Sequence, residues 1–297
     1  MKFGQVENPD LIDFTLPKSH PNTEKILSRY QDLKKSLNIS VGCAKWNKTD
    51  LKGFYPRGTK DELSYYATQF NSIELNATFY GLPSVEQVTA WRDKTPENFK
   101  FFPKITNTIS HYRRLIEVDD AVTRYAEAVI AFQQKLGMVF LQLHDNFKTK
   151  NLDRLVRFVE RWPRELPLGI ELRNHEWFSD EVIFDETTQL FEEHGITNII
   201  VDTAGRRDML HIRLTTPTAF VRYVGANTDS DYTRLDDWVA RLKEWKNAGL
   251  QNLYFFVHQN VEKASPLLSA YFIEKINQEL GGALKIPQMA TSTGTLF

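Results

Sequence analysis

The chain has 297 residues, with 37 Lys and Arg against 38 Asp and Glu, 41% hydrophobic residues, 12% aromatics, 14 Gly, 12 Pro and one Cys. A folded chain of this size buries about three quarters of its unfolded surface, so neither disorder nor a small fold stapled by disulfides or metal is expected. A formal net charge of -1 supplies no overall attraction to nucleic acid or anionic lipid, and any such partner would have to use a local basic patch.

Residues 1–38 precede the first apolar run and contain one predicted helix, 23–37, with Ile26, Leu27, Tyr30, Leu33 and Leu37 on one face and Arg29, Lys34 and Lys35 on the solvated one. From there short Val-, Ile-, Leu- and Phe-rich runs alternate with longer segments of helical period. The runs predict strands over 39–44, 72–76, 99–104, 138–144, 168–173, 198–202, 219–224 and 253–258. The periodic segments predict helices over 60–70, 84–94, 119–136, 152–162, 180–194, 232–248 and 264–280. Ser84 with Gln87 reads as a capping box, and Gly137 and Gly249 read as helix ends. The stretch 204–217 has no helical period and reads as a loop, and the tail 281–297 is small, polar and expected to be partly disordered. Eight strands with helical crossovers over 39–280 point to an α/β fold, a TIM (β/α)8-barrel-like single domain with an N-terminal helical extension. A doubly wound open sheet is the alternative.

The lone Cys43 forbids an intramolecular disulfide and suits a reducing compartment, so a cytoplasmic location is expected. The first ten residues lack the basic start and apolar run of a signal peptide, and no stretch approaches the roughly 20 apolar residues of a membrane span. No membrane partner is expected.

Side chains alternate sides along a strand, and here the two phases differ in chemistry. Ile73 and Leu75 oppose Glu74 and Asn76; Val139, Leu141 and Leu143 oppose Phe140, Gln142 and His144. Likewise Leu168, Ile170 and Leu172 oppose Gly169, Glu171 and Arg173, and Phe255 and Val257 oppose Phe256 and His258. With the aliphatic phase against the helices, the barrel axis collects Glu74, Asn76, Lys104, Gln142, His144, Glu171, Arg173, Asp202, Arg222 and His258. Most sit near the C-terminal ends of their strands, where barrel active sites are built. Lone buried charges cost several kcal/mol each, so these residues must form either a closed ion-pair network or a ligand site.

The segments Phe54-Tyr55-Pro56, Glu74-Leu75-Asn76-Ala77-Thr78-Phe79-Tyr80, Trp91 with Thr95-Pro96, and Phe99, Phe101 and Lys104 resemble the YecE-like family, domain of unknown function 72. Ile109-Ser110-His111, Gln142-Leu143, Ile170-Glu171-Leu172-Arg173 with Trp177, and Phe220-Val221-Arg222 with Gly225 extend the resemblance from Val41 to about Leu280. It implies a TIM-barrel-like fold and a shared pocket, without an established activity. The chain departs from the family pattern at four places. Lys45 replaces the Gly before Trp46, His144 a Pro after Gln-Leu, and Val224 the His before Gly225, while His258 falls in a segment that is usually Phe-Asn-Asn. A divergent member is expected.

Several chemistries suit these residues. Glu171, Glu74 and Asp202 are candidate general acids and bases. Lys104, Arg173 and Arg222, with His111 and Arg114 after the third strand, would hold a carboxylate or phosphate, making a small anionic molecule the expected partner. Asn76, Gln142, His144 and His258 would position it. Tyr80, with Trp46, Tyr55, Trp91 and Trp177, would offer stacking surface for a sugar or base unless these rings are core. His144, Glu171, Asp202 and His258 would be the ligands of a divalent metal, although no metal-ligand spacing supports one. No P-loop, GxGxxG, GxSxG or CxxC is present, so no nucleotide cofactor is indicated. The expected function is an enzyme acting on a small polar, anionic substrate by acid/base chemistry at the C-terminal face of the barrel, with a non-catalytic binder of an anionic metabolite or nucleic-acid fragment, or a metal-assisted hydrolase or isomerase, as the alternatives.

Overall fold

The computed structural model describes residues 4–33 and 36–290. In chain order the elements are α1 (Pro21–Ser28), β1 (Asn38–Cys43), α2 (Glu62–Gln69), β2 (Ser72–Leu75), α3 (Ala77–Tyr80), α4 (Val85–Asp93), β3 (Lys100–Pro103), α5 (Asp119–Ile130), β4 (Val139–Gln142), α6 (Leu152–Arg161) and β5 (Leu168–Glu171). They continue as α7 (Glu176–Ser179), α8 (Glu181–Glu193), β6 (Thr197–Asn198), β7 (Ile200–Thr203), β8 (Thr218–Gly225), α9 (Ser230–Ala248), β9 (Asn252–Gln259) and α10 (Ser265–Leu280). Every named strand pairing is parallel.

The strands run in the order β1, β9, β8, β7 in one sheet, β2 and β3 in a second, and β4, β5, β6 in a third. Single parallel bridges, Phe101 with Leu136 and Lys104 with Phe140, join β3 to β4. Between β1 and β2 side chains replace the main-chain ladder. Asn71 accepts from the Val41 amide (3.0 Å) and donates to the Ile39 carbonyl (2.7 Å). The Tyr66 hydroxyl accepts from the Cys43 amide (2.7 Å) and donates to the Ser72 carbonyl (3.0 Å). Gly42 allows this approach, because a Cβ there would lie 2.1 Å from the Ser72 carbonyl oxygen. The predicted sixth strand is split at Ile199, its first half pairing with β5 and its second with β8. The result is a TIM-barrel-like α/β fold.

The aliphatic strand phase packs with the helices in one large core that includes Val41, Ile73, Leu75, Val139, Leu141, Ile170, Val221, Phe255 and Val257. A second, smaller core fills the axis with Phe102, Met138, Phe140, Ile199, Phe220 and Phe256. Its rings meet edge to face, Phe102 to Phe256 at 4.8 Å and Phe102 to Phe220 at 5.7 Å between centroids. Gly169 takes the same level on β5, where a Cβ would lie 3.0 Å from the Ile199 side chain. This aromatic floor sits one side-chain layer below the polar residues of the same phase.

Helix α1 is shorter than the predicted 23–37. It begins at Pro21, with the His20 ring capping the Asn22 amide at 3.2 Å, and ends at Ser28. The periodicity of Leu33 and Leu37 does not extend it, because the Asn38 amide is already bonded to the Gln251 carbonyl (2.9 Å) at the base of β1 and the chain must straighten to reach it. Lys34 and Lys35 lie outside the described residues. Upstream, the extension is tied to α9, with Arg241 donating to the Pro17 carbonyl (2.9 Å) and Trp245 to Ser19 (3.0 Å). The described part of the tail, to 290, is held by hydrogen bonds from Leu284 to Asn277 and from Gln288 to Gln69; residues 291–297 lie outside the description. Among the described residues no helix is long and apolar enough to cross a membrane.

Candidate functional site

The polar layer follows from the strand phase two residues beyond the aromatic floor. Phe102 is followed by Lys104, Phe140 by Gln142, Gly169 by Glu171, Phe220 by Arg222 and Phe256 by His258. Parallel pairing sets Gln142 beside Glu171 and Arg222 beside Phe256, so residues far apart in sequence converge above one hydrophobic base.

At its centre Arg222 is clamped between two fully buried carboxylates. It donates through Nε and NH2 to the two oxygens of Glu74, each at 2.8 Å, and through NH1 to Glu171. Glu74 also accepts from Asn76 (2.8 Å) and lies 3.0 Å from His258 Nε2. Glu171 also accepts from Gln142 (2.8 Å) and from Arg173 (3.2 Å), and Arg173 in turn reaches Asp145 at 3.1 Å. Burial would raise both glutamates, but Arg222 together with His258 at Glu74, and with Arg173 and Lys104 at Glu171, outweighs it and holds Glu74 well below, and Glu171 below, the ordinary carboxylate value. The same two carboxylates push Arg222 up against its own burial.

Lys104 differs from these pairs. Its Nζ donates to Gln142 Oε1 at 2.7 Å and sits 4.1 Å above the Phe79 ring. Among the described residues no carboxylate forms an ion pair with it, and the nearby guanidinium of Arg222 repels a proton. Burial and that repulsion, only partly offset by Glu171 and Glu74, push Lys104 down to about 7. Phe79 also meets His111 edge-on (4.8 Å), and His111 meets His144 (4.9 Å). Burial, with His144 and Lys104 close by, pushes His111 down to about 4, so it is neutral at pH 7.

Glu74, Asn76, Lys104, Gln142, Glu171, Arg173, Arg222 and His258 are therefore brought together as the strand phase requires, with His111 and His144 beside them. Tyr80 is at the margin, 77% exposed, its ring against Phe79. Asp202 is elsewhere, which corrects its expected place on the barrel axis. The break at Ile199 puts Ile199 on the axis and Asp202 on the helix side, where it accepts from Arg207, Arg234 (2.9 Å) and Trp238 (2.8 Å). The expected metal set of His144, Glu171, Asp202 and His258 loses a member for the same reason, and among the described residues no group of three or more His, Cys, Asp and Glu could hold a metal ion. The stacking alternative is likewise corrected. Trp177 is fully buried and donates to the Phe147 carbonyl (2.7 Å), while Trp46, Tyr55 and Trp91 pack against the main core. Two contributors were not expected, Phe79 beneath Lys104 and Asp145 on Arg173. Asp145 follows His144 directly and was findable from its place after β4; Phe79 reads in sequence as another core ring.

A parallel barrel with a polar cluster at the C-terminal ends of its strands defines a TIM-barrel-like protein whose chemistry, if any, belongs at that end. Residues 40–291 match the family described as protein of unknown function DUF72, and the chain belongs to that family. The UPF0759 protein YecE of Escherichia coli is 28% identical over 278 residues, covering 85% of this chain and 99% of that protein. The UPF0759 protein YunF of Bacillus subtilis is 25% identical over 173 residues, covering 55% of this chain and 60% of that one. Among solved structures, a DUF72 family protein from Enterococcus faecalis superposes with a TM-score of 0.63 at 20% identity, covering 81% of this chain and 98% of its own.

Proposed function

We propose that this protein is an enzyme acting on a small molecule that carries a carboxylate or phosphate, bound at the C-terminal end of the barrel against Lys104. The observation that carries this reading is the buried Lys104 amine, whose described partners are one amide oxygen and one ring face. Three donors and one acceptor leave capacity for a ligand, and an anion there would restore the charge that burial removes.

The roles differ from those expected of the acids. Glu74 and Glu171 are saturated by Arg222, Asn76, Gln142, Arg173 and His258, and their lowered pKa values make them weak bases near neutrality. They act instead as the clamp that fixes Arg222, whose charge faces the same site. Gln142 couples the clamp to Lys104, donating to Glu171 while accepting from the amine. The proton-carrying group suited to pH 7 is then Lys104. The saturated carboxylates also support a second reading, a binder of an anionic metabolite without turnover.

The test is a thermal-shift screen against phosphates, carboxylates, sugars, divalent metals and short oligonucleotides. A ligand at 100 times its dissociation constant stabilises by about 2.7 kcal/mol. A phosphate- or carboxylate-specific rise that is lost in Lys104→Met is the expected result. No rise from any anion, or one that Lys104→Met leaves intact, refutes the reading; a rise without consumption of the ligand selects the binder.

A further inference from the structure

We infer that the substrate of this site carries a carbonyl group as well as its anionic group, and that Lys104 Nζ adds to the carbonyl carbon to form an imine. The inference rests on the proposed anion site and deepens it. The geometry that carries it is the setting of Nζ, at the end of a barrel strand, above an aromatic floor, on the face of Phe79 at 4.1 Å and held by one hydrogen bond that it donates to Gln142 Oε1. The guanidiniums that disfavour an ammonium there, Arg222 and Arg173, are themselves fixed by Glu74, Glu171 and Asp145. An amine desolvated beside fixed cations is the environment that makes lysine nucleophilic at neutral pH. A salt-bridge lysine would instead lie on a carboxylate. Here the nearby acids are turned to the arginine, and the lysine is given an amide oxygen.

The step balances without a redox partner. The nitrogen lone pair forms the new bond to carbon as the carbonyl π pair moves to oxygen. That oxygen then leaves as one water with the two hydrogens of the amine, and a C=N bond remains. His111, neutral, lies one ring away across Phe79 from the amine.

The test uses the whole chain with pyruvate and glyoxylate as probes and cyanoborohydride to reduce any imine to a stable amine, read by intact mass and peptide mapping. The expected result is one adduct on Lys104, formed about tenfold or more faster than adducts on exposed lysines such as Lys243, because a larger share of Lys104 is unprotonated at pH 7. Oxalate, a planar carboxylate that has no ketone, slows the adduct in the unaltered protein. Lys104→Arg loses the fast adduct while labelling of exposed lysines such as Lys243 keeps its rate. Labelling spread over exposed lysines, with Lys104 no faster than Lys243, overturns the inference. If oxalate or phosphate stabilises the protein and Lys104 still gains no adduct, the imine is refuted and the anion site stands. If neither stabilisation nor adduct occurs, both are refuted.

Discussion

Arg222→Met is expected to reverse the pH dependence of stability as well as lower its value. In the native cluster Arg222 makes three charge-assisted bonds to two carboxylates that are fully buried. Removing one partner of a buried ion pair costs about 3–5 kcal/mol, a large part of the roughly 5–15 kcal/mol that holds a domain folded. At about 2–4 °C per kcal/mol for a chain of this class, the melting temperature falls by about 6–20 °C. The sign follows from what opposes what. In the native protein Arg222, with His258 at Glu74 and Arg173 and Lys104 at Glu171, outweighs burial and both glutamates lie below their ordinary value, so their contribution is present above that value and lost as acid protonates them. Without Arg222 burial dominates, the folded carboxyls hold protons more tightly than the unfolded ones, and stability rises as the pH falls from about 7 towards 5. Urea melts of the variant from about pH 7 to 5, and of the native protein from about pH 5 to 3 where its glutamates take up protons, read the two slopes. A variant slope of the same sign as the native one would refute the reasoning, since Arg222 would then not be what keeps the glutamates ionised.

Other consequences are as specific. Asp202→Asn removes the charge facing Arg207 and Arg234, so it should cost about 3–5 kcal/mol in urea melts yet leave the pattern of anion-induced stabilisation unchanged; loss of that pattern would return Asp202 to the site. Lys104 is held down at about 7, so between about pH 7 and 8 the unfolded chain takes up a proton that the folded one lacks, and stability rises with pH by up to about 1.4 kcal/mol per unit. Lys104→Met should lose that part of the slope, and an unchanged slope would deny the lowered value. Tyr66→Phe strands the Cys43 amide and Ser72 carbonyl where β1 and β2 lack a ladder, with an expected loss of about 1–3 kcal/mol in the denaturation midpoint.

The strand phase made most of the barrel and the cluster legible. Phe102, Phe140, Phe220 and Phe256 on the axis, each followed two residues later by a polar group, are readable because a strand alternates strictly. What phase does not carry is which charge meets which. Glu74 and Arg222 are 148 residues apart, and only the closed barrel shows that Arg222 takes up both acids and leaves Lys104 with an amide. Asp202 was misplaced because buried polarity alone cannot separate the axis from the helix side, and the break at Ile199 leaves no residue-type signal. Its partners Arg234 and Trp238 come from α9, whose inward face reads as ordinary helix period. Helix α1 stops early for a tertiary reason, the Asn38 bond to Gln251, which local periodicity does not contain.

The most direct measurement is the reactivity of Lys104 itself. Trace acetylation with acetic anhydride, mapped by mass spectrometry with and without the anion that most raises the melting temperature, compares Lys104 with exposed Lys243 in one sample. Protection confined to Lys104 is the predicted result, because the anion would seat on that amine. An anion that stabilises the protein but leaves the acetylation of Lys104 unchanged, or a Lys104 that reacts in neither state, would contradict a ligand site at the head of the barrel.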